Sequence, residues 1–296
     1  MVIKEYINVS DNRLTDGLIP VLNIMNRVNR SSEDSVTVDF SRTRFISPLF
    51  ALSLIVFLTK SGKVVSICGA NDYLKIIGLP SWGILPDTMR GTEFLALMEG
   101  YAQKTYIPIV SFPAQSNNDE KEAISSVVEN IIIRQSHIPS NVAIGLKYMV
   151  NETIDNITEH SESDRGFIFA QAYPQKGYLD LCIADRGITL LGSYRRLQNN
   201  EISTDLEAIK AANRGISSKN LPEAENRGYG IYTSKRMLVE GLSGQYLMLS
   251  GGNFYLKRPD SDGFYILPDG LRWDGTIIAL RIPYNVSQFN YVNYIE

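Results

Sequence analysis

The run from Met149 to His160 is the feature that most restricts the fold. Val150, Ile154 and Ile157 recur at helical spacing and predict a helix with one buried face. Glu152 and Asn156 stand four apart, so they share another face, one above the other. A carboxylate and an amide oxygen held side by side on a rigid helix suit phosphate chemistry. The amide oxygen can ligate a hard cation such as magnesium. The carboxylate can orient or deprotonate a nucleophile attacking a phosphate. Taken alone, the pair is also what an ordinary exposed helix face carries.

The chain has 296 residues, long enough for two domains. Its net charge of −3 leaves no electrostatic footprint for non-specific nucleic-acid binding, so no nucleic-acid partner is expected. Cys68 and Cys182 each lie inside an apolar, strand-like run. They read as buried thiols in a reducing compartment, not as a disulfide or metal pair. The start, Met1-Val2-Ile3-Lys4-Glu5, lacks the basic and apolar regions of a signal peptide. The longest apolar run, around Leu49 to Leu58, is too short to span a bilayer and reads as a core helix. These features predict a cytoplasmic protein with no membrane association.

Along the first hundred residues, strands alternate with helices. Strands are expected at Ile3 to Val9, Ser35 to Phe40 and Lys63 to Cys68, and helices at Gly17 to Arg30, from after Phe45-Ile46 through Phe57, and at Asp72 to Ile77. The alternation predicts a small α/β domain. Trp82 to Gly100 is a mixed segment taken as the join. The stretch Val36-Thr37-Val38-Asp39-Phe40-Ser41, then Phe45-Ile46-Ser47-Pro48 and the apolar helix, resembles a STAS domain, the fold of anti-sigma-factor antagonists. In phosphorylated members a serine sits at the turn into that helix. Here the matching position is Leu49, so the resemblance implies an interaction module and argues against the usual phospho-switch.

Beyond the join, Tyr106 to Phe112 reads as a strand. Two helices follow, one from Ser116 through Ile132 and one from Pro139 through the Glu152/Asn156 stretch. Strands Phe167 to Ala172 and Tyr178 to Ala184 come next. In the second, Leu179, Leu181 and Ile183 alternate with Tyr178, Asp180 and Cys182, as in a strand with one buried face. It ends in Asp185-Arg186-Gly187. A carboxylate at a strand end can accept from an adenine amino group, and the glycine lets the base approach closely. Asn226-Arg227-Gly228-Tyr229-Gly230 precedes a helix through Val239, offering bare backbone N–H groups and a positive dipole end to phosphates. Asp274-Gly275-Thr276 opens a closing strand that ends at Pro283, and Thr276 can donate near the base. Each piece also has a plain structural reading as a turn or a strand start.

As an ordered set these motifs resemble the GHKL ATPases, the family of gyrase, Hsp90, histidine kinases and MutL. The resemblance covers roughly the C-terminal two-thirds. It implies a Bergerat fold, an α/β sandwich that binds Mg-ATP between helices and a mixed sheet. It further implies Glu152 as base, Asn156 as magnesium ligand and Asp185 as adenine reader with Gly187 as spacer. Gly228 and Gly230 would form the phosphate loop, and Thr276 a secondary base contact. The Asn-Ile-Thr-Glu-His form, ending at His160, looks most like the anti-sigma serine kinases, which act on STAS proteins. Thr189 replaces the second glycine of the usual Asp-x-Gly-x-Gly. No phosphoacceptor helix of the histidine-kinase kind is evident, and His137 reads as an ordinary connecting residue. Residues 188 to 227 are the expected ATP lid, in which Asp205 to Asn213 reads helical. From it Lys219 and Arg227 could meet the γ-phosphate, although each also reads as a solvated surface charge.

The fold expected is therefore α/β (α+β): a STAS-like α/β domain over residues 1–100 and a Bergerat-fold α/β sandwich over residues 101–296. The function expected is an ATP-binding regulatory protein with a protein partner. It would be either an Mg-dependent serine/threonine kinase or slow ATPase of the anti-sigma type, or a non-catalytic ATP-gated switch. A homodimer is compatible with both. A DNA-linked ATPase is disfavoured by the acidic balance and by the lack of a recognisable transducer segment after Pro283.

Overall fold

A computed structural model describes residues 1–4, 13–83, 91–114, 118–136, 140–196, 201–216, 229–284 and 289–294. The fold is mixed α/β, with one small parallel sheet and one large antiparallel sheet.

The small sheet contains β1 (Val2–Lys4), β2 (Ser35–Asp39) and β3 (Val64–Cys68), all parallel and in that order. Between β1 and β2 runs α1 (Leu18–Arg30); between β2 and β3 runs α2 (Pro48–Lys60). Ser47 caps α2 by accepting from the Phe50 N–H at 3.3 Å, and Pro48 takes the first helical position, where a missing N–H costs nothing. The ten residues Pro48 to Leu58, Phe57 excepted, are buried, as suits a helix apolar all round. Helix α3 (Asp72–Ile76) closes this part. Cys68, expected to be buried, is exposed because β3 is an edge strand and its outer face is uncovered.

The segment expected to be a mixed join contains a helix, α4 (Gly91–Tyr101). The chain continues through β4 (Tyr106–Pro113), α5 (Asn118–Ser136), α6 (Ser140–His160), β5 (Arg165–Tyr173), β6 (Tyr178–Asp185), α7 (Leu190–Arg196), α8 (Asp205–Asn213) and α9 (Tyr229–Arg236). A wide turn of helix, Met237–Gly241, extends α9. The strands β7 (Gln245–Gly251), β8 (Asn253–Arg258), β9 (Ser261–Ile266) and β10 (Trp273–Pro283) complete the large sheet. Its order is β4-β5-β6-β10-β7-β8-β9, and every pairing is antiparallel, where the resemblance implied a mixed sheet.

The large sheet is covered on both faces. Its front face, with Ile168, Leu181, Ile183, Met248 and Leu280, packs on Val150, Ile154 and Ile157 of α6 and on α5. Its back face, with Phe167, Phe169, Cys182, Ala184, Leu247, Leu249, Ile277 and Ala279, joins one core with α1, α2 and the small sheet. Helix α2 is thus sandwiched between two sheets. This is why β6, read as a strand with one buried face, is buried on both. On the back face, Asp180 and Arg281 form a bidentate ion pair at 2.7 and 2.8 Å, with the guanidinium 4.0 Å from the Tyr178 ring. Both side chains are nearly inaccessible, so the pair survives burial through its two charge-assisted bonds.

Candidate functional site

A cleft opens on the front face between α6, the start of α9, helices α7 and α8, and the floor strands β6 and β10. Glu152, Asn156, Asp185, Gly230 and Thr276 all line it. Gly187 stands beside the cleft, outside its lining. Gly228, Lys219 and Arg227 lie outside the described residues, as does His137.

Helix α6 presents Glu152 and Asn156 as their spacing requires. Asn156 Nδ2 donates to the Glu152 backbone oxygen at 2.7 Å. A carbonyl there can face only an N–H, so the amide orientation is fixed, and Asn156 lines the cleft with Oδ1 as its remaining acceptor. The Glu152 side chain accepts from the hydroxyl of Tyr148, one turn earlier. Burial first, and the Glu152 charge next, push the Tyr148 hydroxyl up to about 12. The first turn of α9 lies against the same carboxylate. A Cβ on Gly230 would stand on Glu152 Oε2, so a larger residue here would turn the Glu152 carboxylate aside.

The floor is built around Asp185, which is 2% exposed. Its Oδ1 accepts from Gly187 N–H at 2.8 Å and its Oδ2 from Thr276 N–H at 3.1 Å. Burial pushes its carboxyl up to about 7, although those two bonds and the Lys60 ammonium of α2 pull the other way. Two glycines make the close packing possible. A Cβ on Gly187 would collide with the Ser161 carbonyl after α6, and one on Gly275 would stand 2.5 Å from Asp185 Oδ1, with Gly275 held at φ +94°. The register of β10 shifts between Trp273 and Thr276, and this irregularity brings the Thr276 N–H to Asp185.

Two residues matter that the sequence reading passed over. Ser250, buried on β7, accepts from Leu190 N–H at 3.0 Å and donates to Gly275 O at 2.8 Å. It ties the start of α7 to the start of β10, beside Asp185, and nothing in its local sequence marks it. Tyr148 was legible: it stands four residues before Glu152, on the same helix face. The remaining walls mix apolar side chains, among them Ile157, Ile183, Ile188 and Ile278, with Tyr194 and with polar ones from Thr153, His160, Ser161, Thr189 and Ser193. Tyr194 donates to Ile216 O at 2.6 Å and holds the described part of the expected lid together. Asp205, at the start of α8, accepts from Gly252 N–H at 2.9 Å and anchors that helix to the β7–β8 turn.

The enclosed volume is ≈ 90 Å³, and the unfilled space counted out to the mouth is ≈ 840 Å³. A drug-sized ligand needs several hundred Å³, so it would lie toward the mouth or push the walls apart. Among the described residues no group of three or more His, Cys, Asp or Glu could hold a metal. Asn156 Oδ1 is a hard oxygen donor, and magnesium characteristically takes few protein ligands and completes its shell with phosphates and water. No helix among the described residues is long and apolar enough to cross a membrane. No protein-family profile matches the chain, and no curated protein matches it at a significant level.

Proposed function

We propose that the chain is an ATP-binding regulatory protein of the GHKL type, taking Mg-ATP or Mg-ADP in the front-face cleft. The observation that carries the reading is the meeting of four motifs. Glu152 and Asn156, Asp185, Gly230 and Thr276 come from separate stretches of sequence and line one cleft. The adenine amino group would donate to Asp185, whose oxygens each accept one backbone N–H and keep a further lone pair. Ile157, Ile183 and Ile278 would sandwich the ring. Asn156 Oδ1 would hold the magnesium that neutralises the phosphates. Glu152 would accept the proton of an attacking hydroxyl. As that oxygen bonds to the γ-phosphorus, the bond to the β–γ bridging oxygen breaks and ADP leaves.

The hydroxyl would come from a serine or threonine of a protein partner, or from water. The chain's own STAS-like part is a poor acceptor. The turn into α2 packs against the back face, away from the cleft, with Ser47 4% and Leu49 1% exposed. One observation favours a second reading, in which ATP is a ligand only. Glu152 already has a structural job, bonded to Tyr148 and packed on Gly230.

Calorimetry on the full chain with Mg-ATP tests binding; no heat at millimolar nucleotide removes the proposal. Incubation with γ-labelled ATP and magnesium then separates the readings. Label appearing as phosphate, or on a partner, supports catalysis. Binding without any release supports the switch.

A further inference from the structure

We infer that the groove between α4 and α5 is a docking site for a basic amphipathic helix of a protein partner. The two helices pack side by side and leave a cavity of ≈ 460 Å³, which is unrelated to the front-face cleft. Leu95 and Ala123 give it an apolar strip over the buried Met98 and Val127, and Glu99, Asp119 and Glu122 line it beside that strip. No lysine or arginine lines it among the described residues. Lys147 of α6 reaches Glu122 at 2.6 Å, whereas Glu99 and Asp119 form no ion pair among the described residues. Helix α4 is also apolar beyond the side it buries. Phe94 and Met98 face the core, yet Leu95 is 36% exposed and Ala96 is exposed.

Charge selects the occupant. An apolar strip between carboxylates matches a helix that offers leucine-like side chains flanked by lysine or arginine. A second copy of the same acidic groove would repel it, as would nucleic acid or an anionic lipid surface. The α5 lining from Asp119 to Asn130 spans about 16 Å, enough for roughly three turns of a partner helix.

The test uses the full chain and a fluorescein-labelled 14-residue amphipathic helix of leucine and lysine, with a leucine/glutamate twin as control. Anisotropy should show saturable binding of the lysine peptide, weakening as salt is raised, and none of the glutamate twin. The double variant Glu99→Lys/Asp119→Lys should lose at least about tenfold in affinity. The milder Glu99→Gln/Asp119→Asn should fall in between, and it serves should charge reversal unfold the chain. Nucleotide binding at the front-face cleft should stay unchanged in both. Absence of saturable binding, equal binding of the two peptides, or wild-type affinity in the neutralised variant overturns the inference.

Discussion

On the proposed function, the single carboxyl of Asp185 would set both ligand affinity and stability, with opposite signs in pH. The ionised form is the one that would accept an adenine amino group. With its carboxyl held near 7 by burial, ATP affinity should be full above pH 7 and fall as the pH drops through it. The fall should approach about tenfold per unit until the bound carboxylate itself protonates. Stability runs the other way. Between the usual 3.8 and about 7 the folded chain holds a proton that the unfolded chain has lost, so this group's contribution declines as pH rises through that window. Asp185→Asn should abolish both dependences, which calorimetric titration and thermal melts from pH 4 to 8 would show. It should also weaken ATP by about 1.5–3 kcal/mol but leave inosine triphosphate, which lacks the amino group, little changed. Equal weakening of both nucleotides would put the adenine elsewhere. Gly230→Ala tests the other side of the cleft. Its methyl displaces the Glu152 carboxylate, which should lower turnover in a phosphate-release assay and leave the melting temperature little changed; turnover equal to wild type would show that the carboxylate's position at Gly230 does not matter.

The proposed function gives helix α6 two roles one turn apart, and two substitutions would separate them. Glu152→Gln keeps shape and helix but removes the proton acceptor. Turnover, read as phosphate release or protein labelling, should fall about 10²–10⁴-fold with little change in affinity. Asn156→Ala removes the oxygen offered to magnesium and should weaken magnesium-dependent binding itself. Unimpaired turnover in Glu152→Gln would take the base role away from Glu152. The pairing of these residues was legible because helical spacing is local. So was α8, whose bounds agree with the sequence reading. Thr204 caps it, and Glu207 closes a capping box with Thr204. Helix α4 was not legible, because its apolar residues spread around the helix and leave no period to read. Hairpins β7–β9 have no place in the sequence reading either, although Gly251-Gly252 and Pro259-Asp260 are turn dipeptides. Strand order was out of reach for a deeper reason. Strand β10 inserts between β6 and β7, and no local pattern encodes which distant strands pair. Ser250 is the functional consequence: its partners on α7 and β10 are 60 and 25 residues away.

The whole molecule is held together through the back face of the large sheet. All the nucleotide motifs lie beyond residue 100, so the sequence suggests that the region from about Tyr101 onward binds Mg-ATP by itself. The packing argues against such independence. Removing residues 1–100 would bare Phe167, Phe169, Leu247, Leu249 and Ile277, with their neighbours, along the middle of the sheet. Each fully buried large apolar side chain contributes roughly 1.5–3 kcal/mol, so five of them approach or exceed the 5–15 kcal/mol net stability of a typical domain. The fragment 101–296 should therefore aggregate or melt far below the full chain, and the full chain should unfold in one cooperative transition. Co-expression with residues 1–100 should restore both solubility and nucleotide binding. A fragment that melts cooperatively at the full chain's temperature would show that the back-face contact is dispensable. The same contact gives the N-terminal part a route to the cleft, because the Lys60 ammonium at the end of α2 lowers the Asp185 carboxyl from behind the sheet. Lys60→Met leaves the front-face lining untouched. It should nevertheless move the pH midpoint of ATP affinity upward, since the buried carboxylate loses a favourable charge. A midpoint identical to wild type would mean that the two faces of the sheet are electrostatically independent.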